Sequence, residues 1–149
     1  SVLYILRVEC WGGSLSEGAV SRDVWEAAGR VAGYLRVLLA VRYDIDVVDS
    51  IAKARKLDDF MEALYNALRL RENLEKCIEG ELEKRRGQED DVKKALDDGL
   101  KAIRGLNPSH IEKLRGLNRS QLKLVASYIG SYALAHTKTS NVLRKVFGR

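Results

Sequence analysis

Cysteines, prolines and long apolar runs are all scarce in this 149-residue sequence, and each scarcity argues against a class of protein. The two cysteines, Cys10 and Cys77, lie far apart and form no CxxC pair, which argues against a disulfide framework or zinc site and favours a reducing, cytoplasmic setting. No apolar run of about 18 residues occurs, so we expect no membrane span. The mostly apolar stretch 2–8 is shorter than the hydrophobic core of a typical signal peptide, and it is interrupted by Arg7.

Residue patterns that carry catalysis or bind metals are also missing. The two histidines, His110 and His136, have no second His or Cys at helical ligand spacing, so we expect no metal site. Acidic pairs such as that at 58–59 are placed at helix starts or on solvated faces, without the apolar cleft that general acid catalysis needs. Ser127 and Ser131 have no visible base partner. We therefore expect neither enzymatic activity nor a cofactor.

The single proline, Pro108, and the spacing of apolar residues at intervals of three and four predict an all-α fold. The length suits a single domain with a real core, here residues 21–149, built as a compact bundle of about six helices. Residues 1–20 are expected to be a flexible extension, with a short strand over 1–9 as the alternative. Helices are predicted over 22–42, 47–55, 59–86, 90–104, 108–115 and 118–136, with a last one through 142–147.

The stretch 118–136 is the least charged long run, and we predict that it forms the central helix. Asn118 and Gln121 have the spacing of a capping box at its start. Leu124 and Leu134 lie on its far side and widen its apolar sector beyond that of a surface helix, while Gly130 would let another helix approach closely. The predicted core residues are Leu35, Leu38, Phe60, Leu64, Leu122, Val125 and Ile129.

The formal net charge of +5 is distributed unevenly along the chain. Residues 1–100 contain 16 Lys and Arg against 20 Asp and Glu (net −4), whereas residues 101–149 contain 10 against one, Glu112 (net +9). This asymmetry favours a polyanion partner for the C-terminal third. The alternative is a basic face that balances an acidic neighbour in the same fold or in a complex. Lys, Arg and Glu are plentiful while Asn and Gln are few, a bias typical of thermophiles.

Basic residues of the C-terminal third are interleaved with Tyr128 and Tyr132, a combination that holds single-stranded nucleic acid through cations on phosphates and aromatic rings on bases. The tyrosines are equally expected as residues at the boundary of the core. The candidate nucleic-acid contacts are Arg115, Arg119, Lys123, Lys138, Arg144 and Lys145.

Two further basic features need explanation. Lys53, Arg55 and Lys56 either contact phosphate or complement the negative C-terminal end of a helix dipole. Arg71 falls on the apolar stripe of its predicted helix, where it must reach a carboxylate, a backbone carbonyl or a partner subunit, or else extend to solvent. Arg71 is therefore also a candidate interface residue.

The segment from Gly33 to Arg71 resembles the small helical subunit of archaeal subtype I-A CRISPR interference (Cascade) complexes. The resemblance is carried by Asp-x-Ile-Ala-x-Ala at 49–54 and Glu-Ala-Leu-Tyr-Asn-Ala at 62–67, and Ser-Tyr-Ala-Leu-Ala at 131–135 looks like the closing helix of that family.

This resemblance implies a non-catalytic subunit in antiviral defense. Several copies would line up along the guide-RNA complex, bind its other subunits, associate weakly with one another and contact single-stranded DNA or RNA, in particular the displaced strand of the R-loop. Two other hypotheses remain: a helical adaptor whose basic face binds an acidic protein, and a helical enzyme subunit whose chemistry comes from a partner.

Overall fold

The computed structural model describes residues 19–88 and 90–148, and this part of the chain contains helices and no strand. The all-α fold predicted from the sequence is therefore confirmed, as is the burial of all seven predicted core residues. The predicted strand over 1–9 and most of the predicted extension over 1–20 lie outside the described residues. The eight helices of the described part are α1 (Arg22–Arg42), α2 (Ile45–Ala52), α3 (Leu57–Leu68), α4 (Arg71–Lys84), α5 (Asp91–Arg104), α6 (Pro108–Glu112), α7 (Arg119–Leu134) and α8 (Lys138–Val146).

The central helix is α1, which packs against α2, α4, α5, α6, α7 and α8. Ser21 caps its start by accepting a hydrogen bond from the backbone N–H of Val24, and Tyr43 ends it in the left-handed conformation at φ 56°. The prediction that α7 is central is wrong. That helix packs chiefly on α1 and α2, and it leaves Leu124 and Leu134 37% and 48% exposed. A wide apolar sector did not imply burial, because single apolar side chains are common on protein surfaces.

The helix predicted over 59–86 is broken into α3 and α4. The buried hydroxyl of Tyr34 donates a 2.6 Å hydrogen bond to the carbonyl oxygen of Ala67, and the N–H of Leu70 donates to the same oxygen. These bonds occupy a carbonyl at the end of α3 and stabilise the turn that follows it. Arg71 then begins α4 and donates to the carbonyl oxygen of Leu106, one of the four outcomes that its position on the apolar stripe allowed.

The start of α7 is held by the predicted capping box. The side-chain oxygen of Asn118 accepts from the N–H of Gln121 at 2.9 Å, and the Gln121 side chain accepts from the N–H of Asn118 at 3.0 Å. The Gln121 amide also donates to the carbonyl oxygen of Ala19, next to the buried Val20. The first turn of α7 is therefore fixed to the segment that leads into α1.

Candidate nucleic-acid interface

The candidate site depends on an unusually close contact between α2 and α7. A Cβ atom added to Gly130 would lie 2.6 Å from the Cβ of Ala52, closer than two side-chain carbons approach in proteins. Only glycine at this position lets the two helices pack as they do. The contact brings the connection that follows α2, residues 53–56, alongside the first turns of α7.

A groove lies between these two segments, and we call it the basic groove. It has two adjoining compartments of about 560 Å³ and about 520 Å³, which share Arg55, Arg119 and Leu122 as lining residues. One rim carries Lys53, Arg55 and Lys56, and the other carries Arg119 and Lys123. The floor is apolar and consists of Ala52, Ala54, Leu57, Leu117, Leu122 and Ala126.

Most of the rim cations have no acidic partner in the described part of the chain. Lys53 lies 3.5 Å from Asp49, an exposed pair of the kind that contributes little. Within residues 19–88 and 90–148, no carboxylate forms an ion pair with Arg55, Lys56, Arg119 or Lys123. Five cations around one groove, largely unneutralised, create a field that attracts an anion.

The groove unites two sets of predicted residues that are more than sixty positions apart in the sequence. Lys53, Arg55 and Lys56 follow the C-terminal end of α2, which suits the helix dipole. Arg119 and Lys123 stand in the first turns of α7, where a positive charge is mildly unfavourable. The structure thus brings the predicted cluster at 53–56 together with two of the six candidates predicted in the C-terminal third, Arg119 and Lys123.

Arg115 is engaged elsewhere. Its Nε and Nη2 atoms donate to the two carboxylate oxygens of Glu112 at 2.7 and 2.8 Å, and the hydroxyl of Tyr65 donates to the same carboxylate. The hydrogen bonds from Arg115 and Tyr65 lower the pKa of Glu112 to about 2, and the pKa of Arg115 is raised by the same contact. The charge of Arg115 is therefore compensated within the fold, and Arg115 does not line the groove.

The remaining three predicted residues, Lys138, Arg144 and Lys145, lie on α8. This helix packs on α5 and α1, whereas α7 packs on α1 and α2. Lys138 lines a separate small cavity together with Asp91 and Asp98. The six candidates predicted in the C-terminal third consequently do not form one continuous groove.

Part of the charge asymmetry is balanced inside the molecule. Arg104 on α5 forms ion pairs with Glu75 and Glu79 on α4, at 3.4 and 3.1 Å. Part of the positive charge of residues 101–149 therefore neutralises carboxylates of residues 1–100. The basic groove carries cations that this internal pairing leaves uncompensated.

The cations and the aromatic rings that alternate along the sequence lie on different sides of α7 in the structure. At 100° per residue, Tyr128 and Tyr132 lie about 140–180° around α7 from Arg119 and Lys123. Trp25 packs edge-on against Tyr128 with a centroid distance of 5.1 Å, and burial raises the pKa of Tyr128. The guanidinium carbon of Arg36 lies 4.1 Å from the centre of the Tyr132 ring. The tyrosines therefore join α1 to α7 at the edge of the core, which was the alternative interpretation.

Comparison with known proteins supplies a relative. The chain is similar to MJ0380 of Methanocaldococcus jannaschii, named an uncharacterized protein, with 37% identity over 86 residues that make up 58% of this chain and 68% of the relative. The chain belongs to the same family as this archaeal protein. No protein-family model matches the chain, and no solved structure matches it.

The histidines have structural contacts. The Nδ1 atom of His110 accepts a 3.0 Å hydrogen bond from the N–H of Asn107 at the start of α6, and burial lowers the pKa of this imidazole. Nδ1 of His136 lies 3.0 Å from the side-chain oxygen of Asn141. Across residues 19–88 and 90–148, no group of three or more His, Cys, Asp or Glu side chains is arranged to hold a metal ion. No helix of this same part of the chain is long and apolar enough to cross a membrane.

Sequence reasoning missed the groove as a unit. It named the cations of both rims but not the apolar floor between them, and it assigned the rims to different clusters. One signal was visible: Gly130, a glycine inside an apolar helix, indicated that another helix comes close. The partner helix, α2, was not visible in any local pattern.

Proposed function

We propose that this protein is a non-catalytic subunit that contacts nucleic acid through the basic groove. One observation carries the proposal: five cations from two distant segments converge on one groove, and four of them have no acidic partner among the described residues. Long Lys and Arg side chains on facing rims suit the phosphates of a nucleic-acid strand. The groove has no aromatic lining residue, which favours contacts that do not depend on base sequence.

The biological setting that we propose is that of the family resembled by the segment from Gly33 to Arg71. In this setting the chain is a small subunit of an archaeal subtype I-A CRISPR interference complex, cytoplasmic, present in several copies and in contact with a displaced or guide strand. Lys53, Arg55 and Lys56 fall within this segment, so the segment that carries the resemblance also supplies one rim of the groove. An archaeal relative is consistent with this setting. Holding a displaced strand requires phosphate contacts that do not depend on sequence.

Binding of a fluorescently labelled single strand, measured by anisotropy at several salt concentrations, tests the groove. We expect weak binding whose affinity falls as salt rises, with a log–log slope of about −0.7 for each phosphate contact. The double variant Arg119→Ala/Lys123→Ala should bind more weakly with a shallower slope. The matched control Lys101→Ala/Lys113→Ala removes two exposed cations of the same C-terminal third that do not line the groove.

Two outcomes would contradict the proposal. If the groove variant and the control lose affinity equally, the groove is not the contact surface. If the parent protein does not bind a strand even at low salt, an acidic protein is the better candidate partner. The setting is tested separately by isolating the tagged chain from an archaeal host, where guide RNA and other interference subunits should accompany it. Isolation of the chain without them would argue against the CRISPR assignment while leaving the groove experiment valid.

A further inference from the structure

The two compartments of the basic groove share one set of residues, and this arrangement suggests how a ligand lies in it. Arg55 and Arg119 stand on opposite rims, and both line both compartments. We propose that the groove holds two consecutive unpaired nucleotides of a strand. Their linking phosphate lies between Arg55 and Arg119, and one base rests on the apolar floor of each compartment. This inference rests on the proposed nucleic-acid contact and specifies its ligand.

The floor is what selects an unpaired strand. Its side chains are aliphatic: Leu117, Leu122 and Ala126 are buried at the base of the groove, and Ala52, Ala54 and Leu57 are half-buried. In a duplex the bases are paired and stacked inside, so the outer surface offers phosphates and sugars to such a floor. An unpaired base can turn one face onto aliphatic side chains and bury apolar area there. The floor therefore contributes to binding only when bases are free.

Arg55 and Arg119 are suited to bind the phosphate that links the two nucleotides. A guanidinium group presents parallel N–H donors that match a phosphate bidentately. Neither Arg55 nor Arg119 forms an ion pair with a described carboxylate. The compartments on either side are nearly equal, at about 560 and 520 Å³. Two similar apolar spaces flanking one pair of arginines correspond to the base–phosphate–base repeat of a strand. An acidic peptide has no such repeat.

Apart from the rim cations, which the phosphates engage, few polar side chains around the compartments could read a base edge. The first compartment has the hydroxyl of Ser127, and the second has Asn118, whose side-chain oxygen caps α7. Sequence readout needs donors and acceptors matched to base edges. We therefore expect selectivity for the unpaired state of the bases together with indifference to their identity.

The experiment compares ligands of equal length on the intact chain: a single strand, the same strand as a duplex, an abasic strand with the same phosphates, and polyglutamate. We expect the abasic strand to bind about tenfold more weakly than the normal strand, the change expected for losing roughly 50 Å² of buried apolar area at about 25 cal/mol per Å². Because the duplex carries twice as many phosphates, it is compared at equal phosphate concentration, where its affinity should not exceed that of the abasic strand. Equal affinity for the normal and abasic strands overturns this inference and leaves the proposed function standing. Tighter binding of polyglutamate than of any strand overturns both.

Three variants locate the contacts. Arg55→Lys/Arg119→Lys keeps both charges but removes the forked geometry, so it should weaken all strands while preserving the preference for the normal strand over the abasic one. Ala54→Leu fills part of the first compartment and should bring the two affinities close together, with an unchanged helical circular dichroism spectrum. The Lys101→Ala/Lys113→Ala control should retain the full preference. If Ala54→Leu also retains it, the base does not lie in the first compartment and the placement is refuted.

Discussion

Replacing Gly130 by Ala tests the contact that creates the groove. The added methyl would start 2.6 Å from the Cβ of Ala52, and neither carbon can move away by side-chain rotation, so α2 and α7 must separate by about 1 Å to reach an ordinary carbon–carbon distance. Overpacking of this kind lowers the free energy of unfolding by ~1–3 kcal/mol, while replacing Gly by Ala inside a helix raises it by ~0.5–1 kcal/mol. We expect a net loss of ~0–2.5 kcal/mol in the free energy of unfolding.

The loss is measured by urea denaturation and by the melting temperature, which should fall by about 2–4 °C per kcal/mol for a chain of this size. Gly80→Ala is the matched control, because Gly80 is an exposed residue of α4 with nothing within 4 Å of an added Cβ. That control should stabilise the protein by ~0.5–1 kcal/mol through helix propensity alone. Adding Ala52→Gly to the Gly130→Ala variant removes the opposing methyl and should restore part of the loss.

The variant also connects packing to function. Because the connection that carries Lys53 and Arg55 begins where α2 ends, moving α2 away from α7 widens the basic groove. The affinity for a single strand should therefore fall even where the protein remains folded. If Gly130→Ala proves as stable as Gly80→Ala, the close approach of α2 and α7 does not exist and the groove described here has the wrong shape.

Four further predictions concern stability and assembly. Truncating the fully buried Ile129 to Ala should cost ~2–5 kcal/mol, and an unchanged melting temperature would contradict the placement of α7. Tyr34→Phe removes the hydroxyl bonded to Ala67 and should cost ~0.5–1.5 kcal/mol in urea denaturation; no loss would argue against that bond as a stabiliser of the break between α3 and α4. The pKa of Glu112 is lowered from an ordinary value near 4.5 to about 2, so its contribution to stability is present above pH 4.5 and is lost as the pH falls towards 2; NMR titration of this carboxyl should give the low midpoint, and Tyr65→Phe should raise it. Weak self-association at high concentration is expected from the proposed multi-copy setting, and strictly monomeric sedimentation, with and without a nucleic-acid scaffold, would contradict it.

Local signals predicted much of this fold. The bounds of α1 were predicted as found from its apolar spacing, and Ser21, the residue just before the predicted start, caps it. The capping box at Asn118 and Gln121 was predicted as well. Each of these features depends on residues within one helical turn of each other, so a single sequence contains the information. The helix predicted over 59–86 was wrong: it breaks next to the Ala67 carbonyl that Tyr34 binds, a contact between residues more than thirty positions apart, which local patterns do not report.

For the candidate site, too, some features follow from the sequence and others only from the tertiary structure. The sequence by itself determined which residues carry unusual charge, and it placed Arg119 and Lys123 against the preference of their helix dipole. It also determined which face of each helix is apolar, and hence the core. Only the tertiary structure decided that Tyr65 joins the local pair of Glu112 and Arg115, and that Trp25 and Arg36 pack against the tyrosines of α7. It also decided that Lys53, Arg55 and Lys56 face Arg119 and Lys123 across an apolar floor. Periodicity indicates which side of a helix faces the core, but the neighbouring helix is set by long-range packing, here by the close contact between Gly130 and Ala52.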